Sequence, residues 1–360
     1  MNRTTVAALV ATAVVGVIGG TVSAVVRGDA PGRTANAGPT SSGAPSTTVL
    51  YAGAKVIHDG GRTVTYRAPF DTPDRLARTA DGYLIAHNTS PQEPSSALFH
   101  VGTDGTTRHI ADVLGRWDLD PERDTIVAVD LESGRLQART LDGTVTATWD
   151  GPLGAQNPVW TADDKVLVST FEADDGIWSM RAWDPRTGST TRLDSPGYED
   201  LASSADGTLI SGAVGMDGLS VPEKNVCMTV HGAAATVAGA QDNTSWNTCD
   251  WRLNMPGADY FSPDGKRVLA IPSESDGFGP GRLATFSASK GPGVGLQQFD
   301  APPATMDATW LDGQHVVVKG ATDFDLDAET GTWLKVCDLG GSCTDLARRA
   351  HGDLVVGEQG

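Results

Sequence analysis

A polar turn followed by an apolar, β-branched run returns again and again along this chain. The sharpest copy is "FSPDGKRVLAI", from Phe261. Weaker ones are "RTADGYLIA" from Arg78, "LDPERDTIVAV" from Leu119, "WTADDKVLVS" from Trp160, "SSADGTLIS" from Ser203 and "WLDGQHVVV" from Trp310. A worn copy, "AHGDLVV", starts at Ala350. Aligned on the acidic turn position, they fall at Asp81, Glu122, Asp163, Asp206, Asp264, Asp312 and His351. A few apolar residues after a turn read as a buried strand. No segment beyond residue 48 carries a sustained helical period.

A second element, Asp-x-x-Ser/Thr-Gly, ends at Gly134 ("DLESG"), Gly188 ("DPRTG") and Gly331 ("DAETG"). Its Asp can accept backbone N–H bonds and its Gly can take a positive φ. "TDG" at Thr103–Gly105 and "LDG" at Leu141–Gly143 read as shorter hairpin turns. Spread over seven units, residues 49–360 give about 45 residues per unit, the size of a propeller blade. The expected fold is therefore all-β, a seven-bladed β-propeller, with six blades if the worn copy is not a blade. The early strands "TVLYAGAKVIHD" and "RTVTYRA" would complete the last blade and leave no free sheet edge at the joint.

On "FSPDGKRVLAI", its siblings and "RAWDPRTG" (Arg181–Gly188), the chain resembles exported bacterial TolB-like and WD40-like propellers over residues 49–360. The Gly-His dipeptide of WD40 repeats is missing. The resemblance implies a rigid disc used for binding, often of proteins, and no catalytic residue.

The chain opens with an uncharged apolar stretch, Val6–Val26, between Arg3 and Arg27. About 20 such residues can span a bilayer. Val22-Ser23-Ala24 also reads as a signal-peptide cleavage site. Residues 1–27 are thus a transmembrane signal anchor or a cleaved signal peptide, and either exports the body. Residues 28–48 are rich in Gly, Pro, Ser and Thr and read as a flexible tether. The propeller occupies residues 49–360. An even count of cysteines in an exported chain favours disulfides, here paired locally as Cys227–Cys249 and Cys337–Cys343, each within one hairpin. Zinc is the minority reading, because neither pair has close-set companion ligands.

The net charge is −18. Setting aside Arg3 and Arg27 leaves 25 basic residues against 45 acidic ones. That field disfavours nucleic acid and anionic membrane as partners.

Several fragments fail as catalytic motifs. "SASK" (Ser287–Lys290) lacks the helix start and companion elements of the penicillin-binding serine enzymes. "GFGPG" (Gly277–Gly281) and "GPGVG" (Gly291–Gly295) open no helix and so cradle no phosphate. "DFDLDAETGTW" (Asp323–Trp333) begins like a calcium loop, yet Ala328 and Leu334 stand where Gly and Glu are required. Its latter part resembles a quinoprotein-dehydrogenase repeat, with the Trp too close to the Gly and only one copy. No catalytic residue, metal set or cofactor is assigned.

Binding is expected on the longer connections between the second and third strands of each blade. These are His87–Ser96, Phe171–Gly176, Val214–Asn225, Pro272–Arg282 and Gly320–Asp325. Function in repeat folds concentrates on the variable loops of one face. The candidate residues are Glu93, Glu172, Asp174, Asp175, Asp217, Glu223, Glu274, Asp276 and Asp323. They suit a basic protein or small-molecule partner. The expected molecule is a monomer that meets the membrane only through its N-terminal segment. The competing classes are a propeller hydrolase or lyase with polar residues at the ring axis, and a calcium-stabilised propeller without catalysis.

Overall fold

The computed structural model describes residues 48–89, 95–120, 124–151, 155–172, 177–196, 201–204, 206–214, 227–238, 245–253, 260–273, 281–322 and 331–358. The described residues are almost wholly antiparallel β-structure. In chain order come β1 (Leu50–Gly53), β2 (Val56–Asp59) and β3 (Arg62–Thr65), then β4 (Arg75–Thr79), β5 (Gly82–Asn88) and β6 (Ser95–Gly102). β7 (Thr107–Asp120) is followed by β8 (Thr125–Asp130), β9 (Leu136–Thr140) and β10 (Val145–Trp149). Next are β11 (Ala155–Trp160), β12 (Val166–Glu172), β13 (Ile177–Trp183) and β14 (Thr190–Pro196). β15 (Ala202–Ser203), β16 (Leu209–Val214) and β17 (Cys227–Gly232) precede a short helix, α1 (Ala233–Ala238), and β18 (Trp246–Thr248). β19 (Trp251–Leu253), β20 (Arg267–Pro272), β21 (Arg282–Ser287) and β22 (Gln297–Asp300) form the next group. β23 (Thr305–Trp310), β24 (His315–Ala321), β25 (Thr332–Asp338), β26 (Cys343–Arg348) and β27 (Val355–Val356) end the series.

Four consecutive groups, β11–β14, β15–β18, β19–β22 and β23–β26, are four-stranded meanders. β4 to β10 form one seven-stranded sheet. Its middle strand, β7, serves two neighbours: Thr107–Leu114 pair with β6, and Val113, Leu114 and Trp117–Asp120 pair with β8. The strand turns at Gly115, at φ 64°, where the register against β8 also slips. The remaining sheet has the order β27-β1-β2-β3, so the last strand pairs with the first. The closure expected from the early unassigned strands is present.

"AHGDLVV" proves to be a different object from its siblings. The turns at Asp81, Asp163, Asp206, Asp264 and Asp312 join the first to the second strand of a sheet and the copy at Glu122 joins β7 to β8 within the seven-stranded sheet, whereas this segment leads from β26 into β27, which itself lies at the start of the closing sheet. The Asp-x-x-Ser/Thr-Gly elements are not equivalent either. "DLESG" links β8 to β9, second to third in their group, while "DPRTG" links β13 to β14, third to fourth. Helix α1, six residues long, is the one helix among the described residues, and it is too short to show as a sustained helical period in the sequence. "DAETG" through Glu329 and Thr330 lies outside the described residues, as does most of "DFDLDAETGTW". "SASK" runs from the end of β21 into a turn that Gly291 closes by donating to Ser287 O, with no helix.

Burial on both faces explains the unbroken apolar runs. Val316 and Val318 enter one hydrophobic cluster with Leu269, Leu283 and Trp310, while Val317 between them enters another with Val49, Leu334 and Leu354. Ile126 and Ala128 face β5 and β6 residues, and Val127 and Val129 face Trp160, Val166 and Trp183. Each cluster thus lies between successive strand groups. The cluster of Val49, Leu311, Val317 and Leu354 joins the β23–β26 sheet to the closing sheet. This is a β-propeller.

Tryptophans ahead of the turns pack between groups. Trp310 is fully buried and donates through Nε1 to Tyr260 O of the preceding group, at 3.0 Å. Phe261 packs with Met228 and Val230. Both disulfides form as paired from the sequence. Cys227–Cys249 ties β17 to the residue after β18, and Cys337–Cys343 joins directly opposed residues of β25 and β26.

Candidate functional site

The Asp-Gly turns are built for shape. In the best copy Ser262 Oγ and Lys266 N donate to Asp264 Oδ1, at 2.7 and 3.1 Å, and Gly265 at φ 65° donates to Ser262 O. Ser204, Asp206 and Gly207 repeat this pattern, with Thr208 N as the second donor. Burial pushes the Asp264 and Asp206 carboxyls upward, and the hydrogen bonds from Ser262 and Ser204 and the turn N–H groups outweigh it, so both rest below the usual range. Neighbouring turns abut: Ala162 N donates to Gly207 O, and Ala80 N to Asp124 Oδ1. Their polar groups are consumed by one another, which leaves little for a ligand.

The acidic connections are positioned by their flanking strands. β5 and β6, β12 and β13, β16 and β17, β20 and β21, and β24 and β25 are each the second and third strands of their group. Glu93, Asp174, Asp175, Asp217, Glu223, Glu274, Asp276 and Asp323 lie outside the described residues. Glu172 is the last residue of β12, and its side chain lies outside them as well.

A further constellation was announced by no sequence pattern. Two adjoining pockets are lined by residues of β4, β7, β11, β15, β23, β24 and the stretch from β27 to Glu358, with Tyr260. One is lined by Arg75, Asp307, Lys319, Val356 and Glu358 among others. The other is lined by Arg75, Arg116, Trp117, Asp118, Tyr260 and Glu358 among others. Arg75 and Glu358 belong to both and form an ion pair. The Arg75 guanidinium lies 4.1 Å from the centroid of the Trp117 ring, and its Nη1 donates to Trp117 O at 2.9 Å. Lys319 pairs with Asp353 at 2.8 Å. Asp118 Oδ2 accepts from Trp160 N at 2.7 Å, which links β7 to β11.

Two carboxyls here are held far from their ordinary state. Burial raises Asp118 to about 7 and the Glu358 charge adds to it, against the Trp160 and Leu119 N–H groups and the Arg75 charge. Burial likewise raises Asp307 to about 6, against the Ala308 N–H and the Lys319 charge. Perturbed groups in a cleft are functional candidates with a physical rationale. The lining residues include no histidine or cysteine. No group of three or more His, Cys, Asp or Glu able to hold a metal occurs among the described residues. Sequence reasoning missed these groups because Arg75 and Glu358 are 283 positions apart.

No protein-family model matches the chain, and no curated protein does. Solved structures do. A protein from Lactobacillus plantarum superposes with a TM-score of 0.50 at 15% identity, covering 87% of this chain and 100% of that one. TolB from Acinetobacter baumannii gives 0.46 at 17% identity, over 76% of this chain and 65% of its own. The Cps50 (Swd1) β-propeller domain of Myceliophteria thermophila gives 0.46 at 14% identity, over 77% and 94%. The likeness is one of fold: this chain is similar to solved β-propeller structures, TolB among those it matches.

Proposed function

We propose that this protein is an extracytoplasmic, seven-bladed propeller that binds a basic or cationic partner on its acidic loop face and catalyses no reaction there. The single observation that carries the reading is topological. All five acidic connections leave from second strands and enter third strands, so they share one end of the blades, opposite the self-satisfied Asp-Gly turns. Seven blades follow if the seven-stranded sheet is counted as two groups joined through β7. The two disulfides support an oxidising compartment. Among the described residues no helix is long and apolar enough to cross a membrane, and Val6–Val26 lie outside them; a tether through that stretch is part of the proposal.

The test combines crosslinking on intact cells, mass spectrometry, and a triple charge reversal, Glu172→Lys, Asp174→Lys and Asp175→Lys. Partners recovered with the wild type are expected to be lost with the variant, as rim charges govern encounter and register. Undiminished recovery would overturn the acidic-face reading.

A further inference from the structure

We propose that the turn between β21 and β22 is a membrane-contact site, which dips Val294 and Leu296 into the bilayer that holds the N-terminal segment. It rests on the tether proposed above and adds a second contact to it. The chain enters the propeller on the face of the Asp-Gly turns. Leu50 opposes Asp59, so β1 begins beside the Gly60-Gly61 turn. Thr48 O accepts from Arg78 Nη2 at 2.9 Å, next to the Asp81 turn. On the other side Val49 packs with Leu311, next to the Asp312 turn. The remaining turns abut in series: a Cβ on Gly265 would lie 3.7 Å from the Asp206 carboxylate, and one on Gly313 3.5 Å from that of Asp264. Thr48, to which residues 28–47 connect, thus stands on this face.

The β21–β22 turn lies on the same face. Arg267 opposes Ser287, and Ala288 N donates to Lys266 O, so the turn adjoins that at Asp264. Its own backbone holds it: Ser287 N donates to Val294 O, Gly291 N to Ser287 O and Val294 N to Gly291 O. Beneath it the Trp246 indole donates to Ala288 O at 2.7 Å. A Cβ on Gly293 or Gly295 would meet nothing within 4 Å, so the tip stands clear of the body. On this fixed base Val294 and Leu296 are 47% and 41% exposed, two of the five large apolar side chains exposed among the described residues. Single exposed apolar residues are ordinary, whereas neighbours held on one turn make a patch that calls for a partner.

A bilayer fits this tip. Lys266 and Lys290, both exposed, flank it, and aliphatic side chains between lysines suit the boundary of acyl chains and headgroups. Two aliphatic side chains hold a membrane weakly by themselves, and the tether makes up the difference. A Gly- and Ser-rich chain the length of residues 28–47 spans roughly 25 Å, which keeps the turn at about millimolar effective concentration over the lipid. The contact is apolar and suits neutral lipid, since a net charge of −18 is repelled by an anionic surface. The acidic connections, at the other end of the blades, then face away from the membrane.

The experiment uses the full chain reconstituted in phosphatidylcholine vesicles that contain spin-labelled lipid. All four cysteines are paired, so a single introduced cysteine accepts a fluorophore. One label goes on Ser289→Cys, in the turn, and another on Thr89→Cys, at the start of an acidic connection on the opposite face. Lipid quenching should be at least about threefold stronger at 289 than at 89. Val294→Ser combined with Leu296→Ser should bring it down to the level at 89; both positions are exposed, so the core is left intact. Flotation of the vesicles reports the tether separately. A chain left behind would overturn the tether and this contact with it. A chain that floats with equal quenching at both labels, or with quenching unchanged in the double variant, would overturn the contact alone. Quenching that disappears when each vesicle carries one chain would make the turn an interface between copies, and overturns the proposal as well.

Discussion

A glycine in a left-handed turn is replaceable at a modest cost when its missing Cβ faces open space, and at a larger one when it faces backbone. The chain contains both cases in the same turn. Gly265 and Gly207 have φ of 65° and 64°. A Cβ on Gly265 would come no closer than 3.7 Å to a neighbour, the Asp206 carboxylate. A Cβ on Gly207 would stand 2.5 Å from Ala162 N and 2.7 Å from Thr161 C. Gly265→Ala is expected to cost about 1 kcal/mol from the left-handed conformation alone. Gly207→Ala should cost at least about 1–3 kcal/mol more, since two turns must separate. Denaturant unfolding of the two variants checks this, and equal losses would mean the turns do not abut. Asp118 and Asp307 act at the same scale through pH. Their carboxyls are raised, to about 7 and about 6, so the folded state holds protons the unfolded chain gives up near pH 4. Their contribution is fully present below about pH 4 and is lost as pH rises towards 7. The turn carboxyls Asp130, Asp206 and Asp264 are lowered, so theirs is lost in acid instead. Melting temperature should therefore fall from pH 5 to pH 8, and Asp118→Asn should flatten that slope. An unchanged slope would show that Asp118 ionises freely in the folded chain.

At the scale of the element, what could be read from the sequence was local. The turn is written in a few adjacent residues, because Ser, Asp and Gly satisfy one another within it. Where the glycine is absent, aspartate takes over the left-handed position, at Asp164 with φ 62° and at Asp124 with φ 48°. That substitution is tolerated because a short polar side chain can bond locally, and it is why those copies are weaker than the one at Phe261. Disulfides were legible for the same reason: each closes a hairpin of neighbouring strands. The double role of β7 was not legible, since a strand that serves two groups leaves no turn to find. Nor was the lining of the two pockets. Arg75, Asp118, Tyr260, Asp307 and Glu358 come from different strands or segments, and each alone resembles an ordinary solvated or turn residue. Their meaning arises only when the ring brings them together. "AHGDLVV" misled in the opposite way. It imitates the repeated turn, yet its strand is the one that closes the molecule.

For the whole molecule, that closing strand decides how it unfolds. β27 is two residues long and pairs with Tyr51 and Ala52. Its side chains divide between two seams: Val355 packs with Leu50, Ile57 and Leu76, while Val356 and the preceding Leu354 pack with Val317 and Leu334. Beyond it, Gly357 N donates to Leu50 O and Glu358 N to Leu76 O, and the Glu358 carboxylate pairs with Arg75. A ring fastened this way shares its stability among all groups, whereas an opened ring would behave as a stack of units each supported by its neighbours alone. Two leucines of equal size distinguish these cases. Leu354 is 4% exposed at the joint, and Leu84 is fully buried in the seam between the β4–β7 and β7–β10 groups. Truncation of either to Ala should cost about 2–5 kcal/mol through lost transfer energy and the cavity left behind. In a closed ring both variants lower one and the same cooperative transition. If the joint were only loosely fastened, Leu354→Ala would instead split off an early, low-temperature step while leaving the main transition in place. Calorimetry read against circular dichroism distinguishes the two outcomes. A single shifted transition for both variants is expected, because Arg75, Leu50 and Leu76 bind the last strand to groups on either side of the joint.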